Sequence, residues 1–180
     1  TYKAMNNVKI GTRLGIAFSI VLLITAAIAA VGVTQLALLK DDPSLWPNAV
    51  EEILRLDSPV QLTGRVALND TEVAGTQVHR GDFVVILLAA ANRDPAVFPD
   101  PHRFDVTRPN AGRHLAFSGG RHFCLGAALA RTEGEAGFRQ FFNHFPDAQL
   151  AGAGIRRDTR VLRGWATLPV RLGSPATVAG

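Results

Sequence analysis

The sequence predicts a mixed α+β, mainly helical chain that opens with a long hydrophobic helix, and three observations predict it. Residues 14–39 contain no charged side chain, with Lys3, Lys9 and Arg13 ahead of the run and Lys40, Asp41 and Asp42 closing it. Toward the other end, Phe138, Phe141, Phe142 and Phe145 recur at the 3.6-residue spacing of a helix. Between the two lie short β-branched runs set off by turn residues, the pattern of strands.

The elements follow in order. The uncharged run 14–39 is long enough to cross a bilayer, and the competing reading is a buried core helix. A cleaved signal peptide has a shorter apolar centre, although the alanines at 26, 27, 29 and 30 mimic a cleavage site. Residues 47–56 put apolar side chains at 49, 50, 53 and 54 on one face, which predicts a short helix ended by Ser58-Pro59. Glu52 and Arg55 stand three apart on its neighbouring face, where they can pair. Residues 60–68 and 71–78 read as strands joined at Asn69-Asp70, and 84–89 reads as a buried strand. The phenylalanine stripe places a helix over 126–145, and alternation over 159–162 and 166–172 predicts terminal strands around Arg163-Gly164. Two regions result: 1–40, a hydrophobic helix and candidate membrane span, and 41–180, the folded remainder.

Composition narrows the function classes. With 180 residues, 47% of them hydrophobic and 19% charged, the chain can bury one core and carry one unusually apolar segment. A single cysteine rules out an intrachain disulfide framework. The net charge of +4 is spread over scattered Arg and Lys residues without an aromatic-interleaved cluster, which argues against nucleic acid as a partner.

That single cysteine, Cys124, lies in the glycine-bounded run Phe117-Ser118-Gly119-Gly120-Arg121-His122-Phe123-Cys124-Leu125-Gly126, which leads into an alanine- and leucine-rich helix. A cysteine near a helix start meets unpaired N–H groups and the positive end of the helix dipole, both of which favour the thiolate. Glycines on either side let the backbone approach a flat macrocycle. The placement reads as a thiolate ligand to heme iron; the other reading is a buried, inert cysteine.

The segment FSGGRHFCLGAALAR resembles the heme-binding signature of the cytochrome P-450 family, the heme-thiolate monooxygenases, at Phe117, Gly120, His122, Cys124 and Gly126. Two further signatures stand upstream in the family's order: Glu52-Ile53-Leu54-Arg55 resembles its Glu-x-x-Arg helix, and Pro101-His102-Arg103-Phe104 its Pro-x-Arg-Phe element. The stretch Ala91-Asn92-Arg93-Asp94-Pro95 is typical of bacterial members. The resemblance covers about residues 36–172 and implies the C-terminal part of the cytochrome P-450 fold, here preceded by the long hydrophobic helix.

By that resemblance the cofactor is heme b, its iron ligated by Cys124, with Phe117 shielding the sulfur, His122 and Arg65 holding propionates, and Gly120 and Gly126 shaping the loop. A cysteinate on iron favours O–O cleavage, so the implied reaction inserts one oxygen atom from dioxygen into a small organic substrate. Electrons would come from a ferredoxin or another donor protein, with Arg113, Arg121 and Arg131 as a positive face toward it. Glu52, Arg55 and Arg103 are expected as a buried structural triad.

The chain also departs from the family. Where the oxygen-activating helix with its acid–alcohol pair is expected, residues 11–19 contain no acidic side chain, and Thr34 stands too near Glu52 for the family's spacing. Residues 5–36 instead resemble the first membrane helix of bacterial chemoreceptors. Family resemblance implies a cytoplasmic protein, while a span at 14–39 implies a membrane anchor, and basic residues ahead of that span would place the heme module across the membrane from cytosolic donors. The alternative function is therefore a non-catalytic or vestigial heme-binding fragment tethered to a membrane.

Overall fold

The computed structural model describes residues 33–174. Most of the expected hydrophobic helix, including residues 11–19, lies outside the described residues. Helix α1, Val33–Asp41, covers the end of the apolar run. Leu39 is buried in the core and Leu36 packs against it. The Gln35 side-chain oxygen accepts the Val106 N–H at 2.9 Å. Among the described residues no helix is long and apolar enough to cross a membrane.

Asp42 then caps a 3₁₀ turn, Pro43–Leu45, its carboxylate accepting the Ser44 N–H at 3.0 Å. Helix α2, Trp46–Leu56, follows directly, with Pro47 in the first turn, where a missing N–H costs nothing. It stops where the Asp57 N–H meets the Ile53 carbonyl at 2.9 Å and the Ser58 hydroxyl meets that of Leu54 at 2.9 Å. The expected helix 47–56 is thus present.

The core forms between α2 and helix α4, Ala127–His144. Trp46 stacks on Phe142 with ring centroids 5.9 Å apart, and Ala49, Val50, Ile53 and Phe138 are buried around them. The meander before the cysteine loop contributes Phe104, Val106 and Ala116. Phe138 and Phe142 carry the buried part of the predicted stripe, while Phe141 is partly buried and lies edge-on to Phe142 at 5.1 Å.

Strands are short and pair two by two, all antiparallel among the described residues. Strand β1, Thr63–Val66, pairs with β4, Phe83–Ile86, placing Arg65 opposite Val84. β2, Thr71–Val73, pairs with β3, Thr76–Val78. β5, Gln149–Leu150, pairs with β8, Val170–Arg171, and β6, Ile155–Arg156, with β7, Trp165–Thr167.

Three strand expectations are corrected. Residues 71–78 are a hairpin rather than one strand, because Ala74 and Gly75 both take positive φ, 49° and 79°, as the central pair of a tight turn. Residues 84–89 are not a buried strand: Phe83, Val85 and Ile86 of β4 are exposed, and Leu88 opens a one-turn helix α3, Leu88–Ala91. Residues 159–162 form no strand either, Leu162 making only an isolated bridge to Val60.

Candidate functional site

Cys124 sits one turn ahead of α4, its carbonyl accepting the Ala127 N–H at 3.2 Å. Its own N–H donates to the Phe117 carbonyl at 2.9 Å, which closes the loop around a 3₁₀ turn, Gly120–His122. The bend needs left-handed backbone at Ser118, φ 62°, and Gly120, φ 57°. The Phe117 and Phe123 rings meet edge to face at 6.4 Å. A Cβ on Gly126 would come within 3.8 Å of the Cys124 sulfur, so Gly126 lies directly beside it. The loop therefore assembles Phe117, Gly120, Cys124 and Gly126, and the cysteine is exposed rather than buried.

Two predicted contacts stand apart. His122 is exposed, and the Arg65 guanidinium turns back on its own strand, donating to the Thr63 hydroxyl at 3.0 Å and the Gly64 carbonyl at 2.8 Å. Leu125 is fully exposed beside the sulfur, with Phe123 and Leu129 also presented to solvent. No group of three His, Cys, Asp or Glu side chains could hold a metal ion among the described residues. One exposed soft donor, set among apolar side chains and Cβ-free backbone, fits a metal whose other ligands come from a planar macrocycle.

On α2, Glu52 is fully buried. Arg55 grips it bidentately, Nε to Oε2 at 2.6 Å and Nη2 to Oε1 at 2.8 Å, and Arg108 adds Nε to Oε1 at 3.1 Å. The remaining Arg55 donors reach the Asn92, Pro101 and Arg103 carbonyls at 2.8, 2.9 and 3.2 Å. The third member of this cluster is Arg108, not the expected Arg103. Asp100, at φ 47°, turns the 99–103 loop so that its carbonyls face the guanidiniums, while the Arg103 side chain is exposed. Arg103 contributes its backbone oxygen to both Arg55 and Arg108.

A second cluster had no sequence signal. Glu51 precedes Glu52, so its side chain leaves α2 about 100° away. It receives Arg131 bidentately, Nε to Oε1 at 2.5 Å and Nη2 to Oε2 at 3.0 Å, and contacts His114 Nε2 at 3.1 Å. Burial opposes the Glu51 charge, but the hydrogen bonds from His114 and Arg131, with the positive charge of Arg131, outweigh it and hold the carboxyl down to about 2. Arg131 is therefore not a free member of the expected positive face, which is left to the exposed Arg113 and Arg121. Only tertiary packing joins positions 51, 114 and 131, so no local pattern could reveal them.

The chain is similar to known proteins. The chain is 77% identical over 139 residues to the cytochrome P450 140 proteins of Mycobacterium bovis and Mycobacterium tuberculosis, covering 77% of this chain and 32% of theirs. It is 49% identical over 141 residues to the 6-deoxyerythronolide B hydroxylase of Saccharopolyspora erythraea, covering 77% of this chain and 35% of that protein. Among solved structures, P450BioI, in complex with an acyl carrier protein ligated to hexadec-9Z-enoic acid, superposes with a TM-score of 0.81 at 38% identity, over 86% of this chain and 41% of that one. The substrate-free CYP150A6 of Mycobacterium marinum gives 0.82 at 36% identity, over 87% of this chain and 41% of that one. The chain spans about a third of the length of the curated relatives it matches. The family model for cytochrome P450 matches residues 41–148, the stretch that holds both glutamate clusters and the cysteine loop, and the chain accordingly belongs to the cytochrome P450 family.

Proposed function

We propose that this chain is the heme-binding C-terminal portion of a heme-thiolate monooxygenase, with Cys124 as the iron ligand of heme b. The observation that carries the reading is the loop itself: an exposed sulfur beside Gly126, on a backbone fixed by the Cys124 N–H to Phe117 carbonyl bond. When bound, a cysteinate-ligated heme supplies dioxygen activation, for insertion of one oxygen atom into a small organic substrate. The residues of this chain hold and shield that group. Phe117 covers the sulfur side, Gly120 and Gly126 leave room for a flat ring, and His122 and Arg65 are the propionate contacts. His122 is exposed, while the half-buried Arg65 would have to leave the Thr63 hydroxyl and the Gly64 carbonyl to meet a propionate.

Activity, substrate and donor belong in this proposal to the complete enzyme, because the chain spans only about a third of its relatives. Arg113 and Arg121, both exposed, are the face offered to a ferredoxin or similar acidic donor. In this proposal the chain divides at residue 40, with 1–40 a hydrophobic segment able to anchor it and 41–180 the heme-binding portion. If the segment anchors, the full chain sediments with membranes and is released by detergent.

The test is the ferrous-carbonyl spectrum of the heme-loaded protein. The wild type should give the red-shifted Soret band of a thiolate complex, and Cys124→Ser should lose it. A histidine-type spectrum in the wild type, or a thiolate band that survives the substitution, would refute the assignment.

A further inference from the structure

Phe117 is gripped from two sides by residues that share one carboxylate. The Arg131 guanidinium carbon lies 4.7 Å from the centre of the Phe117 ring, and the His114 ring lies 5.7 Å from it. Both side chains end on Glu51, and His114 is fixed further by the Ala116 N–H, which donates to its Nδ1 at 3.0 Å. Phe117 in turn supplies the carbonyl that holds the Cys124 N–H. A continuous path of contacts thus runs from α2 through Glu51, Arg131 and Phe117 to the backbone of the cysteine.

We propose that Arg131 is a positioning residue for the Cys124 loop, acting through the Phe117 ring and anchored by Glu51 rather than by touching the sulfur. Its functional consequence rests on the reading of Cys124 as the iron ligand. The geometry suits arginine in particular, since one planar guanidinium can fork onto a carboxylate and lie over an aromatic face at the same time. Lysine offers a point charge and could not do both. The same contacts favour the charged form of Glu51, lowering its carboxyl from 4.5 to about 2.

The test compares Arg131→Met with Arg139→Met in the full chain by hydrogen–deuterium exchange. Arg139 stands on the same helix and also makes an ion pair, to Glu135 at 3.0 Å, and a carbonyl contact, to Pro43 at 3.1 Å, but it does not touch the loop. Exchange across 117–126 should rise about fivefold in Arg131→Met, the factor expected for losing a contact of cation–π size, with 46–56 unchanged. Arg139→Met should leave 117–126 at the wild-type rate. If Arg131→Met does not fold, Phe117→Leu, which keeps the Glu51–Arg131 pair, should give the same local rise. Equal exchange at 117–126 in the Arg131 and Arg139 variants, or a rise spread over the whole chain, would overturn the proposal. This readout requires no heme, so its failure is separate from a failure of the spectrum to show a thiolate.

Discussion

Arg108 donates its Nε–H to Oε1 of Glu52 at 3.1 Å, tying together residues 56 positions apart in the chain. Its other nitrogens reach the Pro99 carbonyl at 2.5 Å and those of Asp100 and Arg103 at 3.2 and 3.1 Å. One buried guanidinium therefore fixes the meander against α2, immediately upstream of the cysteine loop. A carboxylate between two guanidiniums offsets its own desolvation only while its partners stay in place.

Arg108→Met should accordingly lower stability by about 3 kcal/mol, because Glu52 loses a partner and three carbonyls lose a donor. Arg103→Met, at an exposed side chain, should stay within about 0.5 kcal/mol of wild type. Urea unfolding of both variants, with heme content measured alongside, separates the two arginines. Comparable losses in both would return the third position of the cluster to Arg103.

Glu51 makes stability depend on pH in a stated direction. Its carboxyl is depressed from 4.5 to about 2 in the folded protein. A depressed carboxyl contributes stability that is present above the unfolded value and lost as pH falls through the folded one. Between about pH 4.5 and pH 2 the wild type should lose on the order of 2 kcal/mol that Glu51→Gln does not lose, a figure already discounted for solvent screening at a partly exposed group. Denaturant unfolding of both proteins across that range tests this, and parallel pH profiles would show that the Glu51 charge is not coupled to folding.

What the sequence made legible follows the range of the interactions. The helix over 47–56, the helix over 126–145 and the Glu52–Arg55 pair depend on neighbours within a turn or two, and all three are present. The cysteine loop was legible for the same reason, since its glycines and phenylalanines are contiguous. Partner choice across the chain is not: Arg103 and Arg108 are both arginines near the expected place, and it is Arg108 that reaches Glu52, at 3.1 Å. The strands failed where burial was inferred from apolar composition, because Phe83, Val85 and Ile86 form an apolar run yet remain exposed. Ala74 carries no turn signal, because alanine rarely takes the positive φ it adopts here.

The C-terminal hairpin has a tight point at Gly154. A Cβ there would lie 2.6 Å from the Trp165 ring and 2.8 Å from a Leu168 methyl. Trp165 cannot give way freely, because the Arg156 guanidinium lies 3.6 Å from its ring centre and reaches Asp57 at 3.3 Å. Gly154→Ala should therefore cost about 1–3 kcal/mol. Gly152→Ala, whose new Cβ would meet its nearest atom at 3.9 Å, should be close to neutral. Thermal unfolding of the pair decides the matter, and equal midpoints would mean that the Trp165 ring is free to move.

Asn92 is a buried link between the end of α2 and the segment that leads to Cys124. Fully buried, it donates from Nδ2 to the Ser58 hydroxyl at 2.7 Å, accepts the Leu115 N–H on its side-chain oxygen at 2.6 Å, and offers its carbonyl to Arg55 at 2.8 Å. Removing the side chain takes the acceptor from the part-buried Leu115 N–H, and a polar group left unpaired in this way costs up to about 1–3 kcal/mol. Asn92→Leu, which keeps the volume, should be destabilised by about that amount. Ser58→Ala, which leaves the Leu115 bond intact, should cost less. Because Leu115 opens the segment to Phe117 and Cys124, Asn92→Leu should also speed amide exchange at 115–118 more than at 46–56. Wild-type exchange at 115–118 in Asn92→Leu would show that the cysteine loop is held without this link.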